Sequence, residues 1–443
     1  MLAGLWPSRI GAYDNGAEFP AEVPTMAHYL RLAGYHTVLC GKQHFVGPDM
    51  LHGFDERMTP ELYPTDFSWT PSWDERRMDS NNDATGITKA GVCVRSVQHD
   101  HDEAVLHRAR QALYDHVRMR ANPLFLVASF THPHEPYYAL QKFWDMYDDE
   151  DAPMPATPLA PERERSPHTA RMLAHHALLD ESITPERVRA ARHAYLANVS
   201  YVDHQIGVLL EALDETGQAD KTVIVITADH GDMLGEHGLW FKKHFFDDCV
   251  RVPLIVVAPE HPRANHIEAN VSLVDLVPTF AELAGLNLES VQAELLSGRS
   301  LLSVAAEATA DTRAVFSEIT SEGVPSPMLM VKRGTFKLLT GGGVPDQLFD
   351  LAADPHERND RVGDPALATI RVALQEAAAA HWDVAWLEDD IRRSQRRRRI
   401  VNAAHDFGVS PDWDCLPGDP TRASLLRRPG DYNAWAWRGT PDE

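Results

Sequence analysis

The sequence predicts an α/β fold built on a doubly wound sheet with helices on both faces. Continuous apolar runs at residues 124–130, 222–227 and 252–258 have the length and character of strands covered on both sides, as in a parallel sheet. Before the second run, apolar residues recur at three- and four-residue steps, which predicts a long helix from Thr184 to about Gly217. Folds of this class place their active sites at the carboxyl ends of the strands.

A second, smaller unit follows, in which short strands replace this alternation. Two short apolar runs at 328–331 and 336–339 flank Arg333 and Gly334, which predicts a β-hairpin. The sequence therefore predicts three regions: a catalytic domain over residues 1–305, a small antiparallel α+β subdomain over residues 306–380, and a C-terminal extension over residues 381–443.

The charge balance excludes several classes of function. Lys and Arg number 42 against 65 Asp and Glu, which gives a net charge of −23. This balance argues against nucleic acid and anionic membrane as partners and tolerates a cationic substrate. The arginine-rich run at 392–399 resembles a nucleic-acid patch. Because it directly follows the acidic residues 388–390, a solvated or intersubunit salt-bridged helix is the better interpretation.

The sequence contains no recognisable targeting signal and no cysteine pattern that would indicate a particular cellular location. No apolar run is long enough for a transmembrane helix, and the first residues lack the basic and apolar regions of a signal peptide. The four cysteines are dispersed, which predicts neither a zinc knuckle nor a disulfide framework. A reducing cytoplasm is the simplest location for such a chain.

The residues after the run at 222–227 have the composition of a metal site. Asp229 and His230 leave the predicted strand at its carboxyl end, where a carboxylate can bind a hard divalent cation and an imidazole can bind the metal or the group that it activates. Lys242 follows and suits an oxyanion such as sulfate or phosphate. Taken alone, the first two residues also fit a polar turn, and Lys242 also fits a surface lysine.

Two further polar clusters follow predicted strands. Lys42 and His44 come after a strand at 36–40, and His134 comes after the strand at 124–130. Strands of one parallel sheet bring such residues to the same edge. That combination predicts hydrolysis of an oxyanion ester, in which a metal polarises the ester, cations hold the nonbridging oxygens and a histidine protonates the leaving oxygen.

These motifs resemble those of a known enzyme family. TADHGDMLGEHGLW at 227–240 and QLFDL at 347–351 resemble signatures of the sulfatase family in the alkaline phosphatase superfamily, and the chain is most similar to choline sulfatases through GAYDN at 11–15, THPH at 131–134 and SQRRRR at 394–399. The resemblance implies an alkaline-phosphatase-like fold, hydrolysis of choline O-sulfate or a similar cationic sulfate ester, and one divalent metal ion (calcium, magnesium or manganese). The unpatterned C-terminal extension further indicates packing between the subunits of a homo-oligomer.

The resemblance also implies roles for single residues. Those that match the metal-proximal pair and the sulfate-binding and proton-transfer set are Asp229, His230, Lys42, His44, His134 and Lys242. Asn15 and Trp69 match positions that hold the choline head, and a tryptophan face suits a quaternary ammonium group through a cation–π contact. A glutamate from the C-terminal subdomain should complement the ammonium charge, and Glu318 and Glu322 are both candidates.

The nucleophile is the residue that these motifs do not supply. Sulfatases of this family attack with a formylglycine made from the Cys or Ser of a Cys-x-Pro-Ser-Arg motif. Here Leu5 stands two residues before Pro7, and none of the four cysteines has the required flanking residues. We therefore expect the nucleophile, the first strand and its paired aspartates to lie upstream of Met1, with an unpaired gap left in the sheet and no activity in the chain as printed.

Two alternatives share these residues. The first is a phosphate or phosphonate monoesterase of the same superfamily, because the pocket chemistry is shared. The second is a noncatalytic relative that retains a pocket for a cationic ligand.

Overall fold

The computed structural model describes residues 1–75, 83–119, 122–180, 182–259, 266–291, 296–306, 313–405, 407–409 and 413. Within them the helices are α1 (Pro7–Ile10), α2 (Met26–Leu32), α3 (Thr85–Thr88), α4 (Val97–Met119), α5 (Gln141–Trp144), α6 (Pro167–His175), α7 (Pro185–Glu215), α8 (Asp247–Val250), α9 (Leu276–Leu283), α10 (Leu301–Ala306), α11 (Ala368–His381) and α12 (Val384–His405). The strands are β1 (His36–Gly41), β2 (Glu56–Arg57), β3 (Gly91–Cys93), β4 (Leu124–Ser129), β5 (Tyr138–Leu140), β6 (Ile224–Thr227), β7 (Leu254–Val257), β8 (Ala314–Ile319), β9 (Met328–Arg333), β10 (Phe336–Gly341) and β11 (Gln347–Asp350).

A parallel sheet in the order β2-β1-β4 forms the first part of the core. Because side chains alternate along a strand, Val38 and Cys40 of β1 meet α4 on one face, while Leu39 packs with Ala27 of α2 on the other. The predicted α/β class, with helices on both faces of parallel strands, is confirmed. Parallel pairing of β1 with β4 brings the residues after Gly41 and after Ser129 to the same edge.

The strand β7 differs from the prediction of parallel strands buried on both faces. It pairs antiparallel with β6, with Thr227 opposite Leu254, and Ile255 and Val257 are about half exposed, at 53% and 52%. A parallel return needs a crossover long enough to carry the chain back along the sheet. Residues 228–253 form the loop that carries Asp229 and His230, together with the four-residue α8. This connection contains no helix long enough to cross the sheet, so the chain turns back beside β6.

The long helix predicted between Thr184 and Gly217 is confirmed as α7. The Thr184 hydroxyl accepts a hydrogen bond from the backbone NH of Arg187 at 3.4 Å, which supplies the N-terminal cap. At the other end Gly217 has a φ of 65°, which favours glycine and ends the helix. The buried face of α7, including Ala194 and Tyr201, packs in the largest apolar cluster of the described residues.

The predicted antiparallel sheet near the C-terminus is also confirmed. Its strand order is β11-β10-β9-β8, with β9 and β10 joined at Arg333 and Gly334 as the predicted hairpin, and α11 packs on it. The buried ammonium of Lys337 joins this sheet to the preceding chain, since it donates to the Phe245 carbonyl at 3.0 Å and lies 2.8 Å from Glu357. The boundaries 305/306 and 380/381 stay predictions.

The arginine-rich run forms part of α12, as a helix with salt bridges. Arginines of the run pair with acidic residues of the same chain, among them Asp14 and Asp74. Residues 406, 410–412 and 414–443 of the predicted extension lie outside the described residues. Among the helices that are described, none is long and apolar enough to cross a membrane.

Candidate active site

The loop after β1 is fixed against the end of β4. Gly41 has a φ of 112°, and a Cβ atom there would lie 2.0 Å from the carbonyl oxygen of Ser129, so only glycine fits. The backbone NH of Lys42 donates to the same carbonyl at 3.1 Å, and the Ser129 hydroxyl donates to the Lys42 carbonyl at 2.6 Å. Lys42 is therefore held where the two strands end.

His44 occupies an unusual backbone conformation with a φ of 59°. The fully buried carboxylate of Glu61 accepts from the backbone NH groups of Gln43 at 3.1 Å and His44 at 2.9 Å, and Arg57 donates to it at 3.2 Å. The Nε2 atom of His44 is buried and has no hydrogen-bond partner among the described residues. Burial, and then the charge of Lys42, lowers the pKa of His44 to about 3, so the ring is neutral at pH 7.

His134 is held by a loop that Asp102 organises. The buried Asp102 carboxylate accepts from the backbone NH groups of Thr131 at 2.7 Å and His132 at 3.1 Å, and from His132 Nδ1 at 2.8 Å. His134 Nδ1 donates to the carbonyl of Glu135 at 2.8 Å, which leaves Nε2 as the other ring nitrogen for a ligand. Burial and the charges of Lys42 and Lys242 lower the pKa of His134 well below its usual range.

Asp229 and His230 directly follow β6. His230 Nδ1 donates to the carbonyl of Gly231 at 2.8 Å, and its buried Nε2 lies 3.6 Å from a carboxylate oxygen of Asp229. The His230 and His134 rings are 5.6 Å apart. The neighbouring charges of His230, Lys42 and Lys242 lower the pKa of the largely exposed Asp229 carboxylate to about 2.

Asp229 and His230 could supply only part of the coordination shell of a divalent metal ion. The pair offers an ionised carboxylate and a buried imidazole nitrogen without a hydrogen-bond partner, which are donor types that divalent metals accept. Within the described ranges no group of three or more His, Cys, Asp or Glu residues is arranged to hold a metal. The remaining ligands would therefore have to come from outside this pair.

An aromatic chain links these groups to Trp69. The Trp69 ring lies 5.5 Å from the ring of His44 and 5.4 Å from the ring of Tyr63. Tyr63 in turn lies 6.4 Å from the His134 ring and carries the Lys42 ammonium 4.9 Å above its face. Tyr63 was missed by the sequence analysis because it lies in an irregular segment without periodicity.

Glu322 and Glu318 lie in different places. Glu322 accepts a short hydrogen bond from the side-chain amide of Asn15 and lies 3.4 Å from the ammonium of Lys243. Burial raises the pKa of Glu322, but Lys243 and Lys242 outweigh it and hold the pKa below its usual value. The carboxylate is therefore ionised at pH 7, and Lys243 is a second residue that the sequence analysis missed.

Glu318 joins α1 to α11 instead. Its carboxylate, fully buried, accepts from the backbone NH of Ser8 at 2.9 Å, from the Ser8 hydroxyl at 2.6 Å and from His381 Nε2 at 2.6 Å. Of the two glutamates left open by the sequence, the one that contacts Asn15 is Glu322. The charge of Lys242 lowers the pKa of His44, His134 and His230.

The described cysteines are poorly suited to nucleophilic attack. Cys40, Cys93 and Cys249 are free and buried. Burial raises the pKa of the Cys40 and Cys93 thiols to about 12, so both are protonated at pH 7. Cys415 lies outside the described residues.

In this doubly wound α/β fold, lysines, histidines and an Asp-His pair suited to a metal ion follow the carboxyl ends of the strands. These features together define a class of oxyanion ester hydrolases. The sequence profile of the Sulfatase family matches residues 1–286, and that of the N-sulphoglucosamine sulphohydrolase C-terminal region matches residues 235–381. The chain belongs to the sulfatase family and is thus a sulfuric ester hydrolase by family. Members of this family generally bind a divalent metal ion.

Among individual proteins, the choline-sulfatase of Rhizobium meliloti (strain 1021) is 40% identical over 428 residues, which cover 94% of this chain and 83% of that protein. An uncharacterized sulfatase, YidJ, of Escherichia coli (strain K12) is 27% identical over 413 residues, covering 86% and 76%. The solved phosphonate monoester hydrolase SpPMH from Silicibacter pomeroyi superposes with a TM-score of 0.67 at 23% identity, covering 86% of this chain and 84% of that one. This last likeness concerns the fold alone.

Proposed function

We propose that the protein hydrolyses the sulfate ester of a small cationic alcohol, with choline O-sulfate as the reference substrate. The observation that carries the proposal is the ionised Glu322 carboxylate, which accepts a hydrogen bond from Asn15 and lies close enough to Lys242 and His44 for their charges to interact. A carboxylate next to an oxyanion site repels a simple sulfate ester. A zwitterionic ester removes this conflict, because its ammonium group meets the carboxylate while its sulfate meets the lysines.

The sulfate end of the substrate is assigned to Lys42, Lys242 and His134. The two ammonium groups hold the nonbridging oxygens as mobile point charges. His134 Nε2 faces the bridging oxygen, because Nδ1 is engaged by the Glu135 carbonyl. The negative charge of the bound sulfate raises the pKa of His134 from its depressed value, so the ring carries a proton for the choline oxygen when the S–O bond breaks.

The cationic end is assigned to Trp69, Asn15 and Glu322. The indole face of Trp69 binds the quaternary ammonium through a cation–π contact. The ionised Glu322 complements its charge, and Asn15 orients that carboxylate. The relative of 40% identity whose name specifies choline as the alcohol supports this assignment.

Asp229 and His230 would hold the divalent ion together with further ligands, and the bound ion would supply positive charge at the ester oxygens. The identity of the ion, calcium, magnesium or manganese, stays a prediction. The attacking group is assigned to no residue of the printed sequence, which contains no Cys-x-Pro-Ser-Arg motif.

The test is a comparison of two sulfate esters of the same shape. 3,3-Dimethylbutyl sulfate carries carbon in place of the choline nitrogen and lacks its positive charge. We expect the printed chain to bind choline O-sulfate about tenfold more tightly than 3,3-dimethylbutyl sulfate in titration calorimetry. We expect sulfate release from choline O-sulfate when the gene is expressed together with the codons upstream of Met1. Equal affinity for both esters would overturn the assignment of a cationic substrate.

The phosphate or phosphonate monoesterase alternative stays open because phosphonate monoester hydrolases share this fold. Choline phosphate in the same assay separates the two reactions, because a monoesterase releases phosphate from it faster than sulfate from the sulfate ester. Binding of choline O-sulfate without turnover by the natively encoded protein would instead support a noncatalytic relative. The predicted homo-oligomer is tested by measuring the molar mass of the protein by light scattering as it elutes from a size-exclusion column.

A further inference from the structure

One buried arginine of α12 reaches the segment that carries Asn15. The Arg398 guanidinium donates to both carboxylate oxygens of Asp14, at 2.7 Å each, and the two side chains are 8% and 1% exposed. The pairing is bidentate, which fixes orientation as well as distance. Asp14 is the residue directly before Asn15, and its carboxylate also accepts from the backbone NH of Gly16 at 3.0 Å.

The same guanidinium reaches the segment that carries Trp69. Arg398 also donates to the hydroxyl of Thr70 at 3.0 Å, and Thr70 is almost fully buried. The two segments contact each other directly, since a Cβ atom on Gly16 would lie 2.6 Å from the Thr70 backbone nitrogen and 2.7 Å from the Trp69 carbonyl carbon. One side chain therefore joins the neighbour of Asn15 to the neighbour of Trp69.

Other side chains of α12 hold the residues that follow Trp69. Arg399 donates to the Ser72 hydroxyl at 2.7 Å, and Gln395 accepts from the backbone NH of Trp73 at 2.9 Å. These contacts align the helix with the segment, but Ser72 and Trp73 come three and four residues after Trp69, whereas Thr70 is its direct neighbour. Arg398 is the member of the run whose partners directly flank both pocket residues.

A hydrogen bond near Glu322, the third residue of the proposed ammonium pocket, joins its loop to the segment before Asn15. The Thr320 hydroxyl donates to the carbonyl of Tyr13 at 2.6 Å, and Glu322 follows two residues later. The Tyr13 hydroxyl donates to Asp390 of α12 at 2.6 Å. The helix thus meets the loop before Asn15 at two points, through Asp390 and through Arg398.

We propose that Arg398 is a positioning residue that sets Asn15 and Trp69 at the spacing needed to hold the ammonium group of the substrate. The inference rests on the proposed function, because it takes the ammonium pocket from there. It assigns to the arginine-rich run a role in substrate selection within its own chain. Among the described residues, the side chain of Arg398 donates hydrogen bonds to Asp14, Thr70 and Ser394, none of which is assigned to sulfate binding. Its loss should therefore affect the cationic end of the substrate selectively.

The experiment compares Arg398→Met with Arg397→Met in the complete chain. Arg397 is exposed and lies next to Arg398 on the same helix, so the control removes the same charge without the Asp14 bridge. Hydrogen exchange measured by mass spectrometry should be faster in segments 11–17 and 66–72 of the Arg398 variant alone. Exchange at β9 and β10 should match that of the unaltered protein.

Binding gives the second readout. Arg398→Met should weaken binding of choline O-sulfate about tenfold, while the affinity for inorganic sulfate stays within about twofold, because the lysines that hold sulfate are untouched. Arg398→Lys keeps the charge and loses the bidentate geometry, and it replaces the Met variant if that variant does not fold. It should also weaken binding of choline O-sulfate more than binding of inorganic sulfate, by a smaller factor.

Unchanged exchange in both segments would overturn the positioning role, as would faster exchange with unaltered affinity for choline O-sulfate. An equal loss of affinity for inorganic sulfate would show a general structural defect and also overturn it. Failure of the proposed function is separate, because it is read on the unaltered protein as a lack of preference for choline O-sulfate over 3,3-dimethylbutyl sulfate. In that case the exchange data still decide whether Arg398 joins the two segments.

Discussion

The Glu322 carboxylate accepts a hydrogen bond from the side-chain amide of Asn15, although 307 residues separate the two in the chain. Asn15 is neutral, so it orients the carboxylate without cancelling its charge. Lys243 lies 3.4 Å from the other carboxylate oxygen and helps keep it ionised. The pair therefore presents an oriented, ionised carboxylate, whose charge Lys243 partly offsets, beside a site otherwise rich in positive charge.

Substitution Glu322→Gln should remove the preference for a cationic ester. The amide has the same shape and still accepts a hydrogen bond from Asn15, but it carries no charge. We expect choline O-sulfate to bind about tenfold more weakly, a loss of about 1.4 kcal/mol, and 3,3-dimethylbutyl sulfate to bind equally well or better. Titration calorimetry with the two esters measures both.

The matched control is Glu318→Gln, four residues earlier. This carboxylate binds Ser8 and His381, so its change should lower the thermal stability and leave the ratio of the two ester affinities unaltered. A shift in that ratio for Glu318→Gln, or none for Glu322→Gln, would contradict the placement of the ammonium group.

Substitution Glu61→Gln should loosen the backbone at His44. Glu61 accepts from the NH groups of Gln43 and His44 and compensates the buried Arg57 charge. Loss of the charge should lower the free energy of unfolding by about 2 kcal/mol, because hydrogen bonds to charged groups are among the stronger ones. Chemical denaturation measures this, with the exposed Glu22→Gln as control, and a change below about 0.5 kcal/mol would speak against the role of Glu61.

Acid should destabilise the protein through buried His168. Burial lowers the pKa of His168 from 6.5 to about 4. Between these values the unfolded chain binds a proton that the folded chain does not, so the free energy of unfolding falls as the pH drops through this window, by about 1.4 kcal/mol per pH unit. His168→Phe should remove that part of the slope between pH 6.5 and 4. An unchanged slope, equal to that of exposed His107→Gln, would refute the prediction.

Substitution Asp229→Asn should lower the amount of divalent metal retained by the protein. The change removes the ionised carboxylate and leaves the shape of the side chain, so affinity for a hard cation falls while the fold is kept. Metal content after dialysis, measured by mass spectrometry of the elements, should drop by more than half relative to Asp203→Asn, which changes an exposed aspartate on α7. Equal metal content in the two variants would exclude Asp229 as a ligand.

The position of the site was predictable because its residues follow strands. Lys42 and His134 come after apolar runs, and parallel pairing of β1 with β4 brings such residues together whatever the loops do. The direction of β7 was not predictable in the same way. An apolar run reports burial or strand propensity, and neither property fixes the sense of pairing.

The finer parts of the site depend on segments without periodicity. Glu322 follows β8 in a loop with a φ of 53°, so strand alternation gave no basis for choosing between it and Glu318. Tyr63 and Glu61 lie in an irregular stretch between β2 and the turn at Trp69, where only tertiary contacts define a position. Lys243 was overlooked beside Lys242, because two adjacent lysines usually point to solvent.

The bridge between Asp14 and Arg398 joins residues that are 384 positions apart, which gives the pocket an order of assembly during synthesis. Asp14 leaves the ribosome before the described strands of the α/β core and of the antiparallel sheet, whereas Arg398 follows them. Contacts of such long range form late. A nascent chain that has reached Asp383 therefore contains the described strands and loops of the sulfate-binding cluster, but it still lacks the Arg398 side chain that we propose holds Asn15 and Trp69 in place.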